Sequence, residues 1–566
     1  MESASGPPAL TAPMSADPDN SLPRVRLPLV KPADEIVPPG RMRVLFGCLG
    51  WPSGVLEVAS WAKREKLAEP IIVQVRPGNP VDERFVQRLV EFDPHLVGFR
   101  LEGGQFDEIE RLVRTVRRHS DAEIMLGGPT ATSHPFDVLE ESGADYVIIG
   151  EAEKSFNQFL RLAWQHNSKD RQPEIPGLAY RYGGRAYLNT LPQDGYGRTV
   201  LDAERLVCCN RLRCLRCKIR PAVEVELIAA NRLEWSFLEH FDQQFDSLYF
   251  TGGRGCPGAC TFCARLHGNE ARAKTAEQLL DEILAADRRV SDGTIKVTRW
   301  PLFEHTADPE LKEKQVAWAA IYDEDFFLHR RRAIEFFGLW NDSPLKDRYR
   351  LSLQTNPASM LAAGGHVHEE LLGWIDRLKP MVQLGAESFN PELLRRWHKR
   401  HSLAQLETVL RELDGTRQDY TAFQLLSDFD TTPEELVETL RRLILGAHKH
   451  RRMRIASSPF TIPLYDSDAR KLLEFGGRIP DGQAVHFTDY ERPQPGWMDP
   501  LAAELADLAD AQLQFALNPP HRDAALYRAF EVVLERVRRK GSGTLIDRAE
   551  RAMEEIKESR FQTVFP

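Results

Sequence analysis

The sequence predicts an α/β protein in two parts: a doubly wound parallel sheet, then a partial (β/α)6 barrel, with a mainly helical C-terminal region. Three observations carry this. Short apolar runs alternate with amphipathic helical stretches from residue 41 to about 165. The same alternation resumes from Leu248 to about Pro463, with six further runs. Beyond that, only helical periodicity remains.

In the first part, Arg43–Gly47, residues 71–75 (IIVQV), 95–99 (HLVGF), 122–126 (AEIML) and 145–149 (DYVII) read as strands. Helical patterns cover residues 55–66, a stretch starting near Val81, and Phe106–Arg118. Strands alternating with helices imply a parallel sheet covered on both faces. Its strands end at Gly47, Arg76, Arg100, Gly127-Gly128 and Gly150-Glu151. Ligands of open α/β sheets bind at such carboxyl ends, and glycine there lets a bulky ligand approach the backbone.

Residues 1–38 are rich in Pro, Ser, Ala and Asp and read as a flexible leader, so the first domain spans 39–165. Residues 166–245 form a connector containing a short hairpin between Pro173 and Leu191. The second domain spans 246–463. Its strands are expected at Leu248–Thr251, Ala319–Tyr322, Leu351–Gln354, Met381–Leu384, Ala422–Leu426 and Met453–Ala456. Helices at Ala276–Ala286, Leu328–Phe337, Pro391–Arg396 and Pro433–Leu443 separate them. Six strands make a partial barrel, with its site at the carboxyl ends. The segment Ile295–Trp318 intervenes before the second strand and reads as an added element over the mouth. Residues 464–566 form a helical domain with helices at Ala502–Phe515, Ala524–Arg538 and Ile546–Ser559.

The bulk numbers narrow the function. The 566 residues carry a net charge of -9, which gives no argument for nucleic acid. There is no apolar run of about 18 residues, so no transmembrane helix is expected. No export signal opens the chain, which points to the cytoplasm. Seven of the eight cysteines lie between positions 208 and 263, in a large chain without an export signal. Reduced thiols that bind metal fit better than a disulfide framework.

Residues 252–265 read GGRGCPGACTFCAR, directly after a strand. Cys256, Cys260 and Cys263 can hold three irons of a cubane and leave the fourth open for a small chelating ligand. Zinc with His267 as a fourth ligand is the alternative. A second group, Cys208, Cys209, Cys214 and Cys217, includes one pair at metal-like spacing, and an auxiliary site there stays open.

C-x3-C-x2-C after the first barrel strand resembles the signature of the radical S-adenosylmethionine (SAM) superfamily, with Phe262, Arg254 and Gly255 in matching places. The tandem order of the two domains, with Gly50–Gly54, Gly127-Gly128-Pro129 and Gly150-Glu151-Ala152-Glu153 at strand ends, resembles cobalamin-dependent members of that superfamily. The first domain would then be the cobalamin-binding domain and the second the radical SAM barrel. The resemblance implies a [4Fe-4S] cluster on Cys256, Cys260 and Cys263, S-adenosyl-L-methionine, and cobalamin as methylcobalamin. It implies an electron donor such as flavodoxin or ferredoxin.

The family positions imply further roles. Asp323, Glu324 and Asp325 stand where a carboxylate binds the ammonium of SAM, and Gln354, Glu387 and Ser388 end the next two strands. Arg76, Arg100, Gly127, Gly128, Gly150 and Glu151 are expected around cobalamin. No D-x-H-x-x-G sequence follows the first strand, so cobalamin is expected base-off without a histidine ligand, with Arg76 and Arg100 near its lower face.

The activity implied is methyl transfer from methylcobalamin to carbon of a small molecule. The chain looks somewhat like the tryptophan 2-methyltransferases of antibiotic biosynthesis, which makes L-tryptophan a candidate substrate. Tyr322, Glu324 and Glu387 are then candidates to assist at the indole nitrogen, with Trp300, Phe326, Phe327 and Phe389 as pocket aromatics. Radical methylation of an sp3 carbon, or non-methylating chemistry such as ring contraction, stands beside that reading.

Overall fold

The structure is a computed structural model. It describes residues 38–76, 83–102, 104–164, 172, 175–189, 200–202, 228, 231–239, 241–263, 267–301, 315–416, 418–459, 499–517 and 521–564. Cys208, Cys209, Cys214 and Cys217 lie outside the described residues, as does most of the leader.

The first sheet is built on β1 (Met42–Cys48), β2 (Ala68–Gln74), β3 (Leu96–Arg100), β4 (Glu123–Gly127) and β5 (Tyr146–Ile148). These five pair in parallel in the order β5-β4-β3-β1-β2. The order reverses at β1, so β1 and β3 flank the switch point where such folds bind ligands. Strands rich in Val, Ile and Leu suit this place because both faces are covered. Helices α1 (Ser53–Arg64) and α6 (Glu153–Ala163) pack against each other on one face. On the other, α2 (Glu83–Phe92) and α3 (Phe106–His119) bury Phe85, Leu89, Ile109, Leu112 and Val116 in a separate core. Between β4 and β5 run two short helices, α4 (Pro129–Ser133) and α5 (Pro135–Glu141).

The expected hairpin forms as β6 (Leu178–Tyr182) and β7 (Arg185–Asn189). It is no separate feature: β6 pairs antiparallel with β5, and β8 (Val200–Asp202) continues the row. At the opposite edge, β9 (Leu238–Glu239) pairs parallel with β2, giving nine strands among the described residues. The connector therefore reinforces both edges of the first sheet before the chain enters the second.

The second sheet holds six parallel strands in chain order. β10 (Gln244–Phe245) precedes it; the six are β11 (Ser247–Phe250), β16 (Gln315–Ile321), β17 (Tyr349–Thr355), β18 (Met381–Glu387), β19 (Tyr420–Leu425) and β20 (Met453–Ser458). All six expected strands are present. Between β11 and β16, β12 (Gly253–Arg254) and β13 (Arg272–Ala273) form a two-stranded ribbon around the cysteine loop. The pocket role expected of three aromatics is corrected here, and the segment Ile295–Trp318 is described only at its two ends. Of the segment Ile295–Trp318, residues 315–318 are already β16; Lys296–Val297 (β14) pairs with β10, and Trp300–Pro301 (β15) pairs with β16. Residues 302–314 lie outside the described residues. Phe326 and Phe327 line no pocket: both are fully buried, packed on Phe336 and Phe337. Phe389 is likewise buried, against Gly446.

Helices cover the outer face of this sheet. Thr275 and Ser402 cap the helices Ala276–Ser291 and Leu403–Gly415 with reciprocal capping boxes. The C-terminal helices Pro500–Leu513, Arg522–Lys540 and Gly543–Val564 pack on the helix Pro433–Lys449. Arg522 ties them down, donating to the carbonyls of Ala447, His450, Arg451 and Met453. No helix among the described residues is long and apolar enough to cross a membrane.

Candidate active site

The cysteine loop lies at the carboxyl end of β11. Cys256, Cys260 and Cys263 are all half-buried and unpaired by disulfides. A methyl group built on Gly258 would lie 3.3 Å from Cys256 Sγ and 3.8 Å from Cys260 Sγ, so two sulfurs flank a glycine that leaves the space between them open. Burial pushes the Cys260 thiol up, and the nearby Lys399 ammonium opposes that. Lys399 is buried, sits 5.5 Å from the centre of the Phe262 ring and bonds Glu387 Oε1 at 3.1 Å. A fixed cation beside Cys260 and Cys263 suits an anionic cluster. Arg400 follows and reaches Asp325 Oδ2 at 3.0 Å while its stem abuts Gly258. His267, the residue considered as a fourth zinc ligand, has its Nδ1 2.6 Å from Glu324 Oε1.

Two of the three carboxylates after β16 bond the cysteine loop directly. Asp323 Oδ1 accepts from the Gly252 and Gly253 N–H groups, both at 2.7 Å, and its Oδ2 accepts from Arg332 at 2.6 Å. Glu324 Oε2 accepts from the Gly255 N–H at 3.1 Å. Burial would raise the Glu324 carboxyl, but His267 and these hydrogen bonds hold it below the usual range. Asp325 accepts from Thr355 Oγ1 at 2.7 Å, Ser359 Oγ at 2.6 Å and Arg400. Of the carboxylates expected to meet SAM, Asp323 and Glu324 thus bond the loop that carries the cysteines, while Asp325 bonds Thr355, Ser359 and Arg400.

Glu387 ends β18 in a left-handed conformation, φ 62°, after a register shift in the ladder with β19. A non-glycine residue held there stores strain, and such positions cluster at functional sites. Ser388 is fully buried, and its Oγ accepts from the Asn390 N–H. Gln354 is half-buried on β17, in register with Gln383. His401 lies behind this row, its ring against Asn356 Oδ1 and the Ala386 carbonyl. Burial, then the Lys399 charge, pushes it down to about 3.

At the other rim, Tyr249 and Tyr322 stack with centroids 5.3 Å apart and planes 16° from parallel. Tyr322 is half-exposed. Trp51, from the Gly50–Gly54 turn of the first domain, donates to the Tyr249 carbonyl at 2.6 Å. This bond joins the switch-point loop of one sheet to the first strand of the other.

The first sheet opens into a cleft of about 200 Å3 between its face and helices α1 and α6. Phe46, Val55, Phe99, Met125, Ile148 and Phe156 make it apolar. The strand-end glycines Gly127, Gly128 and Gly150 line it, together with Gly54 and Gly98. A Cβ on Gly128, φ 102°, would stand 2.8 Å from the Leu101 carbonyl oxygen, so only glycine keeps the backbone at this wall. An apolar, glycine-walled slot at the switch point fits a large flat cofactor with a narrow tail. Arg100 lines the cleft. Arg76 does not: it pairs with Asp242 at 2.6 Å and is exposed.

Glu151 lines the cleft too, but its oxygens are taken by Arg272 at 2.6 and 2.8 Å and by Arg254 at 3.1 Å. Arg254 also reaches Glu57 on α1 and, at 2.6 Å, Glu153. Lys274 bonds Glu282 at 2.8 Å and lies 3.5 Å from Glu57. All these groups are buried. Burial alone would raise the Glu57 carboxyl; Arg254 and Lys274 outweigh it and hold it low. Glu282 is pushed up to about 6, since burial exceeds the pull of Lys274. This network joins the two domains. Sequence reasoning singled out Arg254 and Glu151 but not their contact, and Lys399 was missed altogether; the basic run His398–His401 after the helix Pro391–Arg396 was its only signal.

Two family models match the chain: the B12 binding domain over residues 53–160, and the Radical SAM superfamily over 250–443. Solved structures share the whole arrangement. The radical SAM methyltransferase TsrM from Kitasatospora setae, with tryptophan substrate and a SAM analogue bound, aligns at TM-score 0.60 and 13% identity, over 92% of this chain and 99% of that one. The same enzyme with cobalamin and a [4Fe-4S] cluster aligns at TM-score 0.58, 13% identity, 92% and 100%. The cobalamin-dependent SAM radical enzyme OxsB with aqua-cobalamin aligns at TM-score 0.60, 13% identity, 93% and 80%. No curated protein sequence matches the chain.

Proposed function

We propose that this chain, a cobalamin-dependent radical SAM enzyme by its paired domains, is a methyltransferase acting on an aromatic carbon of a small molecule, with C2 of an indole such as L-tryptophan as the acceptor. The observation that carries the reading is the Tyr249–Tyr322 stack beside the Trp51 contact, at the seam between the two cofactor domains. A half-exposed tyrosine face is a platform for a flat ring. The tryptophan-bound neighbour of the same fold supports it.

The cofactors carry the hard chemistry: the cluster supplies electrons, SAM the methyl group and methylcobalamin its delivery. The chain supplies place and charge. Cys256, Cys260 and Cys263 hold the cluster, with Lys399 balancing its charge. The glycine-lined cleft and Arg100 hold cobalamin. Glu387 and Gln354, at neighbouring strand ends, are the candidates to contact SAM. Glu387 is the candidate base for the proton the ring gives up, and the Tyr322 hydroxyl, kept protonated by burial, is a candidate hydrogen-bond partner at the indole nitrogen. Electrons enter from a small redox protein of the flavodoxin or ferredoxin type.

The test is product analysis. Anaerobically reconstituted enzyme, given SAM, a reductant and L-tryptophan, should form 2-methyltryptophan and S-adenosylhomocysteine without stoichiometric 5′-deoxyadenosine. One 5′-deoxyadenosine per methyl transferred would replace this with radical methylation of an sp3 carbon. SAM consumption without S-adenosylhomocysteine would replace it with non-methylating chemistry.

A further inference from the structure

The apolar cleft of the first domain has one polar lip that comes from the second. His267, four residues after the last cysteine, lies on its wall with Arg254. The ring is fixed from two sides. Its Nδ1 is 2.6 Å from Glu324 Oε1, and Glu324 is anchored in turn by the Gly255 N–H. The His267 carbonyl accepts from Arg272 at 2.9 Å. A carboxylate on Nδ1 sets the tautomer and orientation of an imidazole and leaves Nε2 for another partner. The remaining charges at this end are matched. Arg254 is enclosed by Glu57, Glu151 and Glu153, and Arg100 by Ser53 and Glu102. His267 Nε2 is the polar atom of the lip that the protein's own hydrogen bonds leave over among the described residues.

The dimensions say what reaches it. A slot between a sheet face and two helices, walled by Gly98, Gly127, Gly128 and Gly150, takes a flat bicyclic base with its sugar and phosphate, whereas a corrin ring with its amides is too broad to pass between these elements. The part of cobalamin that enters is therefore the nucleotide tail. Buried in an apolar wall, its base nitrogen, ribose hydroxyl and phosphate each lose water and need a protein partner.

Resting on the reading of this cleft as the cobalamin site, we propose that His267 hydrogen-bonds the nucleotide portion of cobalamin, and that Glu324 is the positioning residue that holds its ring. The cluster-bearing domain thus reaches over and closes the tail slot of its neighbour.

The experiment measures binding by the reconstituted enzyme of three corrinoids: hydroxocobalamin, cobinamide phosphate and cobinamide, which lacks the nucleotide. His267→Ala should weaken hydroxocobalamin about tenfold, as the loss of one buried hydrogen bond does. Its affinity for cobinamide and its iron content should stay at the wild-type level. Glu324→Gln should weaken hydroxocobalamin by a smaller factor, again sparing cobinamide, and His267→Gln should recover part of the loss. A loss shared by cobinamide phosphate places the contact at the phosphate; one confined to hydroxocobalamin places it at the base or ribose. Wild-type hydroxocobalamin affinity in both His267 variants overturns the proposal, as does an equal loss for cobinamide. Failure of the wild-type enzyme to bind any corrinoid overturns the reading of the cleft itself, a separate result.

Discussion

Arg254 Nη2 lies 2.6 Å from Glu153 Oε1, and the two side chains come from different domains: the strand two residues ahead of the first cluster cysteine, and the first turn of α6. Both are buried, so neither charge has water to fall back on. Around them three cations face four carboxylates drawn from both domains. Removing one partner from such a set leaves a buried charge uncompensated.

Arg254→Met should therefore destabilise the protein by about 3–5 kcal/mol. Chemical denaturation of the apoprotein measures this. Arg254→Lys keeps the charge but loses the fork that spans three carboxylates, and should fall between.

Gly128→Ala should weaken cobalamin binding and leave iron content unchanged. The added methyl meets the Leu101 carbonyl oxygen at 2.8 Å, at a φ of 102° that favours glycine. The strain should also lower stability by about 1–3 kcal/mol. Absorbance titration with hydroxocobalamin and iron analysis read the two effects separately.

Lys399→Met should make the cluster harder to reduce. The ammonium stabilises added negative charge near Cys260 and Cys263, so its loss should move the reduction potential to more negative values with iron retained. An EPR-monitored redox titration reads this, and an unchanged potential would show that Lys399 serves only Glu387.

His401 predicts a pH dependence. Its folded-state value is depressed to about 3, by burial first and then by Lys399. In the unfolded chain it titrates near about 6.5. The unfolded state therefore binds the extra proton across that window, so the contribution of His401 is present above pH ~6.5 and is lost as pH falls toward the folded value. His401→Asn should flatten the fall in thermal stability between pH ~6.5 and ~5.

Much of this was legible in the sequence, for local reasons. The six barrel strands and the five parallel strands of the first sheet announce themselves by short apolar runs ending in small or polar residues, and the cysteine spacing marks the loop after the first barrel strand. Boundaries slipped where the signal was polar: Gln315 opens a strand that reads as starting at Ala319. β9 is two residues long and carries no periodicity at all. The roles of Asp323 and Asp325 were obscured because their partners, Gly252-Gly253 and Thr355-Ser359, are adjacent only in the folded chain. The ion network was beyond sequence reach for the same reason, since 197 residues separate Arg254 from Glu57.

That network limits modularity. Recombination readily moves whole domains between proteins, and the two here belong to separately recognised families. A chimera that swaps in a foreign first domain, however well folded, would have to bring carboxylates to the places of Glu57, Glu151 and Glu153. Otherwise it would seal Arg254, Arg272 and Lys274 into a junction with too few counter-charges. Each half matches a family of its own, but in this chain the two are a matched pair.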